Sequence, residues 1–274
     1  MSGIHSEERR VVANGVATRI RIDEPAEAKA DTPWITFANS LVCALEMWDA
    51  QVPAFARDFR VLRYDMRGHG GTDAPPPPYA IADLAADMLA VWDTLGIRRS
   101  HVVGLSLGGM VGLHLASRHP ERIVTLTASD CRAEAVPAYA KVFEERVALT
   151  RAEGMAALVE LTLQRFFTPE FSSANPDAIA AFRRMIAETT ADGHVGCCEA
   201  IIGLNETPHL PRIAAPTLCI GGARDIGAPP EVMAGIAAAI PGARHVVIPG
   251  AGHISCAEQP DVFNEHLAAF IRAA

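Results

Sequence analysis

Five residues, Gly104-Leu105-Ser106-Leu107-Gly108, join a short apolar run, HVVGL at 101–105, directly to a segment of helical periodicity, LGGMVGLHLASRH at 107–119. A strand that turns straight into a helix leaves room only for small side chains where the two backbones cross, and glycine at both ends of the pentapeptide meets that demand. Such a G-x-S-x-G turn also points its serine hydroxyl out of the sheet. At a helix N-terminus the following backbone amide can donate to an oxyanion. Ser106 is therefore a candidate nucleophile, and the amide of Leu107 a candidate oxyanion donor.

The rest of the chain repeats the strand-then-helix unit. Residues 10–23 read as a hairpin around Asn14-Gly15, a pair that favours the positive φ angles of a tight turn. PWITFAN at 33–39 and FRVLRYD at 59–65 read as buried strands with a helix between them at 47–56. Residues 80–95 carry an apolar helical face stopped by Gly96, and RIVTLTA at 122–128 is another strand. From 131 to 211 the strand pattern gives way to helical stretches, read as an inserted lid. Strands resume at 216–222 and 245–250, with helices near 230–239 and from Pro260 onward. Alternation of this kind predicts parallel crossovers and an α/β fold, with residues 1–130 and 212–274 forming one core domain and 131–211 the lid.

A length of 274 residues suits one such domain with an insertion, and a chain half hydrophobic can fill a large core. The net charge of -8 argues against a nucleic-acid partner, which would call for a basic face. No window has the length and apolarity of a membrane span, and the first residues lack a signal-peptide pattern, so the expected setting is cytoplasmic. Six cysteines show neither a C-x-x-C pair nor zinc-site spacing and read as reduced, buried thiols.

A serine hydroxyl needs a base, and that base needs an orienting carboxylate. His253 follows the strand at 245–249 in the glycine-rich stretch PGAGHIS, and Asp225 follows the strand that ends at Gly222. Asp130, after the strand at 122–128, is the alternative acid, with Asp225 preferred. The second oxyanion amide is expected from the loop Asn39–Cys43, with Leu41 as the candidate. YDMRGHGGTD at 64–73 gathers Asp65, Arg67, His69 and Asp73, and reads as a bracing turn rather than a reaction centre.

These segments together resemble the α/β-hydrolases of the 3-oxoadipate enol-lactonase type. The resemblance is carried over nearly the whole chain by FANSL (37–41), VLRYDMRGHGGTD (61–73), GLSLGGMVG (104–112) and HPERI (119–123). RAEGMAAL (151–158), QRFFTPEF (164–171), GCCEAI (196–201), LPRIAAPTLCIGGARD (210–225), AIPGARHV (239–246) and AEQPDVFN (257–264) extend it. It implies the α/β-hydrolase fold, a mostly parallel eight-stranded sheet flanked by helices. It also implies an enzyme that opens an unsaturated lactone in aromatic-acid catabolism without a cofactor or metal. Ser106, Asp225, His253 and the amides of Leu41 and Leu107 fall on the matching positions. The chain departs from the pattern at His194 and Asn205, at Asp130 and Arg132, and in the loop after FANSL, which lacks the usual glycine.

General esterases, cofactor-free perhydrolases and carbon–carbon hydrolases share the same triad, as do ligand-binding receptors on this scaffold. A lactone bearing a carboxylate would enter a protein of net negative charge, so a local cation is expected; Arg132, Arg165 and Arg183 are the candidates.

Overall fold

The computed structural model describes residues 3–274. Its strands are β1 (Ile4–Ala13), β2 (Val16–Pro25), β3 (Trp34–Ala38), β4 (Arg60–Tyr64), β5 (Ser100–Leu105), β6 (Ile123–Ser129), β7 (Thr217–Gly222) and β8 (Arg244–Ile248). They form one sheet in the order β1-β2-β4-β3-β5-β6-β7-β8. β2 runs antiparallel to β1 and β4, and all remaining pairs are parallel. The fold is the α/β-hydrolase fold expected from the sequence.

The hairpin turns at Asn14 and Gly15, with φ of 51° and 74°. Both strands outrun the expected 10–23 span, because Ile4–Arg10 is exposed and charged and carries no apolar alternation. The strand exists through its ladder to β2, and its charges blunt an edge that could otherwise pair with another chain. Away from the sheet edges β5 and β7 are buried throughout, as strands covered by helices on both faces must be.

The helices are α1 (Val52–Phe55), α2 (Ile81–Leu95), α3 (Leu107–Arg118), α4 (Pro137–Glu153), α5 (Val159–Phe166), α6 (Pro169–Ala174), α7 (Pro176–Glu188), α8 (Ala191–Ile202), α9 (Pro230–Ala239), α10 (Ser255–Glu258) and α11 (Pro260–Ala273). The helix expected at 47–56 is two pieces, a 3-10 turn at Leu45–Trp48 and the four-residue α1. Pro53 has no N–H to donate, so it opens a new helix and cannot extend the preceding one.

α4 to α8 stand between β6 and β7, with α4 packed on α8 and α5 on α7. An antiparallel bridge between Glu134 and Asn205 closes the base of this insertion. One of its links to the rest of the fold lies at the end of α5; another is at Thr190, whose amide and hydroxyl donate to the Gly68 carbonyl at 3.0 Å. The Phe166 carbonyl accepts from the amides of His253 and Ile254 at 2.9 and 3.2 Å. Next to it the Thr168 amide and hydroxyl donate to the Glu258 carboxylate at 2.8 and 3.0 Å.

Candidate active site

Ser106 sits at the carboxyl end of β5 with φ 55° and ψ -113°, outside the regions that L-residues favour. The turn is enforced on every side. The Ser106 amide donates to the Ser129 carbonyl of β6 at 2.8 Å, and the Gly108 amide donates to the Asn39 carbonyl at 3.0 Å. A Cβ on Gly108 would lie 2.1 Å from the Ala38 carbonyl oxygen, and one on Gly104 would lie 2.2 Å from that of Gly108. Neither backbone can retreat, so both positions require glycine.

His253 lies beyond β8 and Asp225 beyond β7, and the turns after these strands bring them together. The His253 Nδ1 is 2.8 Å from Asp225 Oδ2, and both side chains are buried. Asp225 Oδ1 accepts from the Gly227 amide at 2.6 Å. Burial pushes the Asp225 carboxyl up. The charge and hydrogen bond of His253, with the amides of Gly227 and Ala228, outweigh that and hold it below the ordinary range. An ionised carboxylate fixed on Nδ1 leaves Nε2 as the proton-accepting nitrogen. The Phe166 ring stacks on the imidazole, centroids 5.6 Å apart.

Asp130 is also buried and lies close enough to Asp225 for their charges to interact, but it does not hold the histidine. Its Oδ1 accepts from the Gly222 amide at 2.8 Å, and its Oδ2 bonds Ser129 Oγ at 2.5 Å and Ser255 Oγ at 2.6 Å. It therefore joins the ends of β6 and β7 to the turn that carries His253. Burial, and then the charge of Asp225, raise its carboxyl to about 7.

The loop Asn39–Cys43 is anchored at its first residue. Asn39 donates to the Tyr64 carbonyl at 2.9 Å and accepts from Trp48 Nε1 at 3.0 Å. Among the described residues, neither the Leu41 amide nor the Leu107 amide donates a hydrogen bond. Val42, where the sequence lacks a glycine, takes φ 59°, a left-handed conformation costing a β-branched residue roughly 1–3 kcal/mol. The turn from Asp65 onward braces this loop: Asp65 accepts from the Leu45 amide at 2.7 Å and the Gly71 amide at 2.9 Å. Arg67 pairs with Asp87 through two bonds of 2.7 Å.

Ser106, His253 and Leu41 line one small cavity of about 20 Å³, together with Tyr139, Arg146 and Arg165. Of the three arginines picked out in the sequence, only Arg165 reaches it. Arg183 is paired with Glu160 on the surface, and Arg132 donates to the Gly227 carbonyl at 2.7 Å while its guanidinium lies 4.4 Å from the Tyr139 ring centroid. Arg146 was not anticipated. Its Nη2 donates to Thr162 Oγ1 at 2.6 Å, but its Nε is buried and without a partner. Neither Arg146 nor Arg165 has a carboxylate partner among the described residues. Burial lowers the pKa of Arg146 from its usual value, as expected for a cation that lacks an anion.

His194 is fully buried between α4 and α8, bonded to Thr150 Oγ1 at 2.8 Å and to Cys198 Sγ at 3.3 Å. All six cysteines are free and buried. Among the described residues no helix is long and apolar enough to cross a membrane.

Residues 33–260 match the family described as alpha/beta hydrolase fold. The chain is 33% identical over 249 residues to 3-oxoadipate enol-lactonase 2 of Acinetobacter baylyi, covering 89% of this chain and 90% of that one. It is 31% identical over 243 residues to RutD of Stutzerimonas stutzeri, whose name proposes carbamate hydrolysis, covering 86% and 91%. The crystal structure of the enol-lactonase from Burkholderia xenovorans LB400 superposes with a TM-score of 0.92 at 38% identity, over 96% of this chain and all of that one. The family match spans β3 to β8 and the structural match nearly the whole chain, and the chain belongs to the α/β-hydrolase family.

Proposed function

We propose that this protein is a serine hydrolase that opens small carboxylated enol-lactones through an acyl-serine intermediate. Ser106 Oγ attacks the lactone carbonyl carbon while His253 Nε2 takes its proton, and Asp225 keeps the imidazole in the tautomer that can accept it. The amides of Leu41 and Leu107 receive the developing oxyanion. When the tetrahedral intermediate collapses, the ring carbon–oxygen bond breaks and the electron pair leaves on an enol oxygen. An enolate is a far better leaving group than an alkoxide, so its departure needs little acid assistance; it then takes the proton held by His253 as it becomes the ketone, which returns the imidazole to its neutral form. His253 then activates a water that hydrolyses the acyl-serine, releasing a keto-dicarboxylic acid. No cofactor or metal takes part in these steps.

The observation that carries this reading is the pair of guanidiniums, Arg146 and Arg165, sharing a cavity with Ser106 and His253 and lacking carboxylate partners among the described residues. In a chain of net charge -8 such a pair suits a substrate carboxylate, which guanidinium binds through two parallel hydrogen bonds. The resemblance to enol-lactonases supports the same substrate class. On this reading α4 to α8 act as the lid and the setting is cytoplasmic.

The test is a panel of carboxylated enol-lactones, saturated lactones and neutral p-nitrophenyl esters of similar size, with products identified. Carboxylated enol-lactones should have the highest kcat/KM, and Arg146→Ala or Arg165→Ala should weaken them selectively. Preference for neutral esters, unchanged by both substitutions, would make the protein a general esterase instead.

A further inference from the structure

The cavity at Ser106 measures about 20 Å³, room for one or two waters, whereas pockets that hold small ligands run to roughly 300 Å³ or more. A second depression of about 550 Å³ lies on the outer surface between α4 and α5. Two residues line both spaces, Arg146 of α4 and Arg165 of α5. Both side chains border the outer depression and the cavity at the nucleophile, so they stand between the two spaces.

Both are weakly held. Arg165 makes no hydrogen bond and no ion pair among the described residues, and it lies against the Tyr139 ring at 5.9 Å from the centroid. Arg146 keeps a single bond, to Thr162 Oγ1. On the outer side the rim is apolar: Leu161 and Ile226 are 54% and 66% exposed, with Val142, Leu149 and Leu158 beside them. Among the described residues Glu145 is the only acidic one lining it. Ile226 is adjacent in sequence to Asp225, so the groove reaches the shell of the site itself.

We propose that the groove between α4 and α5 is the route by which substrate reaches Ser106. An ester or lactone carrying a carboxylate lays its apolar part along Leu161 and Ile226 and draws the two guanidiniums onto its anionic group. Their rotation merges the groove with the inner cavity. The choice of occupant rests on the proposed function above. The route itself does not, because a neutral ester must pass the same two side chains.

The burial of every native cysteine allows a clean test. In Leu161→Cys the new thiol stands alone on the surface and can be tagged after folding, with a small methylthio group or with a bulky aromatic maleimide. Val12→Cys, on β1 at 72% exposure, is the control. Turnover of p-nitrophenyl acetate and of p-nitrophenyl hemisuccinate is compared before and after tagging, with near-ultraviolet circular dichroism confirming an unchanged fold.

The bulky tag on Leu161→Cys should lower kcat/KM for both esters at least tenfold, the small tag should do much less, and tagged Val12→Cys should match its untagged form. Tagged Leu161→Cys that turns over both esters like untagged protein would overturn the route. Blocking by the bulky tag, combined with Arg146→Ala and Arg165→Ala variants that treat both esters alike, would uphold the route while removing the carboxylate preference from the proposed function.

Discussion

Asp130 holds Ser255 at 2.6 Å, two residues beyond the histidine that Asp225 holds at 2.8 Å. One carboxylate grips the imidazole and the other grips the turn that carries it. Asp225→Asn should therefore lower kcat/KM by roughly a factor of ten thousand, the scale seen when a triad loses its orienting charge. Asp130→Asn keeps a side chain able to accept from Gly222 and should cost less than about tenfold. Steady-state rates on an activated ester decide between them, and the reverse ranking would make Asp130 the acid.

Asp130 also leaves a signature in stability. Its carboxyl is raised to about 7 from 3.8, first by burial and then by the charge of Asp225. A raised carboxyl binds its proton more tightly in the fold, so its contribution is complete below about pH 4 and is lost as pH climbs through 7. The Tm of wild type minus that of Asp130→Asn should thus fall between about pH 4 and 7 and level off above. A difference that is flat or rising would contradict the assignment.

His194 should act in the opposite sense. Burial lowers its pKa to about 3, so the folded chain binds fewer protons than the unfolded one below the ordinary histidine pKa of 6.5. Its stability contribution is present above pH 6.5 and is lost as pH falls toward 3. His194→Gln should flatten the acid limb of the stability curve by on the order of a few kcal/mol, measured by chemical denaturation at pH 4 against pH 7. An unchanged acid limb would show that the neutral imidazole costs nothing to protonate.

Gly227 is fixed by the triad on one side and an arginine on the other. A Cβ there would meet Arg165 Nη2 at 3.1 Å, Asp225 Oδ1 at 3.2 Å and His253 Nδ1 at 3.3 Å. Gly227→Ala should push the carboxylate and imidazole apart by a few tenths of an ångström and reduce kcat about tenfold or more, with Tm little changed. Full activity in this variant would mean that the pair tolerates displacement.

The sheet was legible because its central strands are short apolar runs bounded by helical periods, and the candidate site because Ser106, Asp225 and His253 each follow a strand end, which the fold gathers at one edge of the sheet. β1 was cut short in the sequence reading, since an exposed edge strand such as Ile4–Ala13 carries no pattern of its own. Arg146 was missed for a related reason. Glu144 and Glu145 precede it, so FEERVALTR reads as a solvated face. The available signal was its register: Tyr139, Phe143, Arg146 and Thr150 recur at helical spacing, which puts the arginine on the stripe of α4 turned inward. Arg183, on α7, lies off the stripe of buried Phe182 and Ile186 and pairs with Glu160 of α5 instead.

On the proposed mechanism Ser106 carries the acyl group. Intact-protein mass spectrometry after treatment with a small fluorophosphonate, in parallel with ester turnover, measures this directly. Wild type should gain one phosphonyl adduct, mapped to Ser106, as its activity disappears. Ser106→Ala should gain none and turn over substrate at least a thousandfold more slowly. A Ser106→Ala protein, free of contaminating esterase, that keeps near-normal turnover would show that another group is the nucleophile.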